Sequence, residues 1–133
     1  MTGADIIGAL LRADSALLAR VPEASIKAGR LPDGITPPAL LVRVISSVER
    51  QALRRGAATR TVDRVSVTVR AGSYRDQTAI IALVKARCAG RTGNIGGGRN
   101  VAILTAGTGP DINGPGDSFE QAQDFRVSFD AQT

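Results

Sequence analysis

Residue types that could do chemistry are scarce in this chain, and the scarcity excludes whole classes of function. Histidine is absent, and Cys88 is the single cysteine. Without histidine, no Ser-His-Asp or Cys-His nucleophile can be assembled, and the commonest general base is missing. A zinc set of histidines or paired cysteines is equally excluded. Cys88 falls on the apolar side of a predicted helix and reads as a small buried hydrophobe. A lone cysteine also rules out an intrachain disulfide and fits a reducing compartment. Asp111 and Asp117 lie in a turn-rich stretch that lacks the spacing and terminal glutamate of a calcium loop. They read as solvated turn residues. The glycine-rich run 91–100 carries Arg91 and Arg99, but it lies between a predicted helix and a predicted strand, with no Lys-Ser/Thr after it. A phosphate loop needs the opposite order and that dipeptide. A carboxylate-only or lysine-based mechanism stays open, but no spacing suggests one, and the sequence points to no catalytic residue, no cofactor and no metal ligand set.

Arginine is the abundant charged type, at fifteen of seventeen cations, in a chain of 133 residues with net charge +5. Its distribution matters more than its number. Residues 1–49 are balanced, residues 50–99 hold eleven cations against two acids, and residues 100–133 hold one against five. A basic middle and an acidic end fit two readings. One is nucleic-acid contact through the middle; the other is self-association, one copy's basic region meeting another's acidic region. Arginine's planar fork suits either carboxylate or phosphate. The densest cluster is Arg50, Arg54, Arg55 and Arg60, between two apolar runs. Its acidic counterpart is Asp111, Asp117, Glu120 and Asp124.

The elements that must position these charges follow from periodicity. Residues 3–21 read as helix, with Ile6, Ile7, Leu10, Leu11, Leu17, Leu18 and Val21 along one face. Asp14-Ser15 leaves open whether this is one helix or two, since aspartate is a good N-cap. Pro22 ends it. Residues 25–29 suggest a short strand, Leu31-Pro32-Asp33-Gly34 a turn, and Pro37-Pro38 an extended approach to a strand at Ala39. Residues 39–71 predict a long hairpin: strand 39–47, the arginine-rich connection 49–60, and strand 61–70. Val65, Val67 and Val69 alternate there with Arg64, Ser66, Thr68 and Arg70, the period of a half-buried antiparallel strand. Ser73 and Asp76 open a helix running to about Ala89, with Gly90 as its expected C-cap. Residues 91–100 read as a flexible loop, 101–106 as a strand, 107–117 as turn-rich connection, and 119–129 as a last strand with Phe125, Val127 and Phe129 on one face. No segment approaches 18 continuous apolar residues, and the N-terminal stretch does not read as a signal peptide. The expected fold class is α+β: a small single-domain sandwich over residues 1–133. Its mostly antiparallel or mixed sheet would have four to five strands, with two main helices packed on one face.

This order and texture resembles the tail terminator, or tail completion, proteins of long-tailed phages. The resemblance rests on Ala9-Leu10-Leu11-Arg12-Ala13-Asp14-Ser15-Ala16-Leu17-Leu18-Ala19 and the approach Pro38-Ala39-Leu40-Leu41-Val42. It continues through Arg64-Val65-Ser66-Val67-Thr68-Val69, Asp76-Gln77-Thr78-Ala79-Ile80-Ile81-Ala82-Leu83-Val84 and Gln123-Asp124-Phe125-Arg126-Val127-Ser128-Phe129. None of these is a catalytic signature, so no active site is implied. The resemblance implies a virion protein of the tail and neck, made in the bacterial host cytoplasm. A hexameric ring would cap the tail tube protein and join it to the head-side connector or stopper protein. Double-stranded DNA would pass transiently through the channel, and no membrane would be involved. Gene transfer agents and defective prophage tails use similar parts. A small basic nucleic-acid-binding protein is the alternative, weakened by Tyr74 being the only aromatic of the basic region.

Overall fold

The computed structural model describes residues 1–132. Seven strands form one curled, mixed sheet, in the order β1-β2-β3-β7-β5-β4 with β6 paired to β7 off that path. The strands are β1 (Ile26–Ala28), β2 (Ala39–Arg50), β3 (Ala58–Ala71), β4 (Thr92–Ile95), β5 (Gly98–Thr108), β6 (Ile112–Asn113) and β7 (Phe119–Gln132). Only β1 runs parallel to its neighbour. Helices α1 (Gly3–Arg12), α2 (Ser15–Leu18) and α3 (Tyr74–Cys88) complete the fold, with α1 and α3 touching each other, β3 and β7. The sheet therefore has more strands than the four or five expected, and it curls as a half-barrel instead of lying flat in a sandwich.

Of the two extra strands, β4 and β6, the first comes from turn chemistry. Residues 91–100 are a hairpin, not a loop: Ile95 pairs with Gly98, and the intervening Gly96 and Gly97 have φ of 58° and 85°. Two positive φ angles in a two-residue connection match the twist of the flanking strands, and glycine reaches them without strain. Gly96 also lies against α1, where an added Cβ would stand 3.0 Å from the Ile6 Cα.

The core forms where the period-two faces meet the helices. Val65, Val67 and Val69 of β3 and Phe125, Val127 and Phe129 of β7 are buried together with Ile6, Ile7 and Leu11 of α1 and Ile80, Val84 and Cys88 of α3. The first helical segment is two helices: Asp14 caps α2, its side chain accepting from the Ala16 N–H. Ser73 caps α3 by accepting from Asp76 N–H. On α3, Gln77 occupies the first buried position, and Ala82 is exposed.

β7 lies at the centre. All 14 residues of β3 pair with it, from Ala58 opposite Gln132 to Ala71 opposite Phe119. Sequence order cannot reveal this, since the last strand inserts between β3 and β5. The hairpin strands are also longer than periodicity indicated, so the connection between β2 and β3 shrinks to residues 51–57.

Candidate assembly surfaces

The register of β3 against β7 decides the fate of most charges singled out above. Arg60 stands opposite Asp130 and Arg70 opposite Glu120, while Arg64 lies diagonally from Asp124. Each makes an ion pair: Arg60–Asp130 at 3.1 Å, Arg64–Asp124 at 2.9 Å and Arg70–Glu120 at 3.0 Å. The ladder is also tied to β5 and to the connection before β2. Arg60 Nη1 donates to the Asn100 carbonyl at 2.7 Å, Arg64 Nη2 to the Ala106 carbonyl at 2.9 Å and Arg70 Nη1 to the Pro32 carbonyl at 2.8 Å. Asn100 Nδ2 also donates to Asp130 at 2.7 Å. These bonds, that from Asn100 foremost and then that from Arg60, hold the Asp130 carboxyl below its ordinary range.

Arg50, Arg54 and Arg55 differ from these. Arg50 ends β2, and Arg54 and Arg55 lie in the 51–57 connection, beyond the reach of β7; all three are exposed and none forms an ion pair among the described residues. A bulge helps to aim this arm. The β2–β3 register shifts between Val44 and Ser46, leaving Ile45 without a β3 partner, after which Ser46 pairs with Arg64 and Val48 with Val62. Bulges bend a strand and sharpen its twist. Beyond it, residues 45–58 are exposed without exception. Leu53, at the apex, is 111% exposed. Its apolar character carried no helical or strand period, so periodicity could not single it out.

Among the predicted acids, Glu120 and Asp124 thus have partners within the chain. Asp111 and Asp117 remain exposed at the opposite end of the sheet, without an ion pair among the described residues. Asp111 accepts from Gln77 Nε2, which pins the connection before β6 to α3. The eight residues do not converge on one point. They divide into an arginine tip, an internal ladder and an acidic far end.

One carboxylate escaped sequence reading. Asp63 is 2% exposed, on the helix-facing side of β3, and its Oδ2 accepts from Gly3 N–H at 2.8 Å at the start of α1. A carboxylate there complements the positive end of the helix. Gly3 is required at that spot, because a Cβ would stand 2.9 Å from the Asp63 Cβ. Cys88 is buried, and that burial pushes its thiol up to about 12, away from nucleophilic use. Among the described residues, no cluster of acids or cysteine could hold a metal ion, and no helix is long and apolar enough to cross a membrane.

Solved structures share this architecture, two of them as follows. A chain in a structure of the virion of a native gene transfer agent particle is 16% identical; the match covers 96% of this chain and 94% of that one, with a TM-score of 0.71. Another, 20% identical, covers 100% of this chain and 97% of its own, with a TM-score of 0.53. At such identities the likeness is one of fold. No curated protein matches the sequence. The family described as tail completion protein gp17 matches residues 6–130. The chain therefore belongs to the tail completion protein gp17 family, and it is a structural component of the virion in the tail and neck.

Proposed function

We propose that the protein, acting as a single domain over its length, assembles into a hexameric ring at the head-proximal end of the tail. The ring terminates the tail tube and joins it to the head-side connector, leaving a channel for double-stranded DNA. The observation that carries this reading is the family match over residues 6–130. A charge distribution suited to head-to-tail contact supports it: an arginine tip at one end of the sheet and acids at the other, neither with an ion pair among the described residues. A closed ring needs such a heterologous interface, in which two different patches meet. Any DNA contact by Arg50, Arg54 and Arg55 would be a screened phosphate contact without sequence preference.

The alternative, a small nucleic-acid-binding protein, draws less support, because Arg60, Arg64 and Arg70 are engaged with acids of the same chain. Sedimentation and negative-stain imaging with purified tails test the proposal. Rings at tail-tube ends are expected; persistent failure to associate with tubes would refute it. Salt-resistant, sequence-dependent retention of DNA in a gel shift would favour the alternative.

A further inference from the structure

The arm tip combines two features that a phosphate contact alone does not call for: unpaired arginines and a fully exposed leucine. Single exposed apolar residues on a surface are ordinary. Leu53 differs in standing at the apex of a projecting hairpin, 111% exposed, with Arg54 and Arg55 directly after it. An apolar side chain followed by two forked cations can fill an apolar groove while the arginines, a type enriched at interfaces, meet acids at its rim.

A complementary surface lies at the far end of the sheet. Thr68, Pro110, Ile112, Glu120, Gln121 and Ala122 line an open groove of about 240 Å³ whose walls are chiefly apolar. Ile112 is 54% exposed in it. The groove is held in shape by local bonds. Ile112 and Asn113 pair with Glu120 and Phe119, and Gln121 Nε2 donates to the Gly109 carbonyl at 2.8 Å. Its acidic surroundings are Asp111, beside Ile112 in the chain, and Asp117, in the turn leading to β7. Both are exposed and carry no ion pair among the described residues.

A copy cannot bring its own tip to its own groove. Thr68 lies ten positions along β3 from Ala58, which at about 3.3 Å per residue separates them by about 33 Å. We propose that the tip of one copy docks on the next copy, seating Leu53 in the groove beside Ile112 while Arg54 and Arg55 face Asp111 and Asp117. This rests on the ring reading above and adds to it the two surfaces that meet. Tip and groove are different patches, so the contact repeats head to tail and closes into a ring if the rotation allows.

Cross-linking tests the contact directly. Leu53→Cys and Ile112→Cys are combined in one chain, assembled with tail tubes and mildly oxidised; Leu53→Cys alone and the unaltered chain, with its buried Cys88, are the controls. The double variant should give a ladder of covalent oligomers on a denaturing gel, and neither control should. In parallel, Leu53→Asp should weaken self-association by roughly tenfold or more. Its melting temperature should stay unchanged, since Leu53 touches no core. If rings assemble normally while the double variant gives no ladder and Leu53→Asp assembles like the unaltered chain, the docking contact is overturned and the ring survives. If the unaltered chain makes no ring even on tail tubes, the ring reading falls and this contact with it.

Discussion

Arginines of one sequence segment meet two different fates here, and strand register separates them. Arg60, Arg64 and Arg70 lie on β3 where β7 runs alongside, and each finds an acid of that strand. Arg50, Arg54 and Arg55 lie at or past the end of β2, where no acidic strand follows. The first group does structural work inside the chain. The second is left for something outside it. Net charge by segment cannot distinguish these groups; only the pairing partner can.

The largest effect that sharpens this contrast is expected at Arg70. Its ion pair with Glu120 is well shielded, and it also holds the Pro32 carbonyl. Removing one partner of a buried pair strands the other, so Arg70→Ala should lower unfolding free energy by about 3 kcal/mol in denaturant titration. Asp63→Ala should follow, at about 2 kcal/mol, because the Gly3 N–H at the start of α1 is left unpaired in a buried place. Hydrogen exchange should show α1 loosening first. Arg64→Ala should cost less than about 1 kcal/mol, since Arg64 is half exposed and its pair with Asp124 is screened by water.

Acid should act locally, at the arm's root. Asp130 is held below its ordinary range by Asn100 and Arg60, so the folded state binds its proton less readily than the unfolded chain. The stabilisation is complete above the unfolded value, about 4 for aspartate, and is lost as pH falls through the lowered folded value. Amide exchange at residues 58–60 and 130–132 should therefore rise below about pH 4. Asp130→Asn should remove that sensitivity.

Much of the scaffold was legible because its signals are local. The burial of Val65, Val67 and Val69 and the Ser73 cap depend on residues a few positions apart, and both stand as read, although Ser66 and Arg70 on the polar face of that strand are buried as well; Asp14, where one helix or two was left open, caps a second. The hairpin around Gly96-Gly97 was also local, yet flanking glycines and arginines masked a four-residue strand as loop. The rest was long-range. Nothing near Phe119–Gln132 indicates that it will sit between β3 and β5, and that placement alone commits Asp124, Glu120 and Asp130 to partners in the same chain. Asp63 escaped for the same reason, since its partner lies 60 positions away. Of the acids first matched with the arginine cluster, Asp111 and Asp117 keep an outward role in the proposed contact, and so do Arg54 and Arg55 among the cations.

The division of labour between ladder and tip is tested most directly by Arg54→Glu combined with Arg55→Glu. Melting temperature and assembly on purified tail tubes are measured on the same preparation. The predicted result is an unchanged melting temperature with ring formation or tail joining weakened by at least about tenfold. Normal assembly by that variant would show that the tip is solvated loop and would contradict the account.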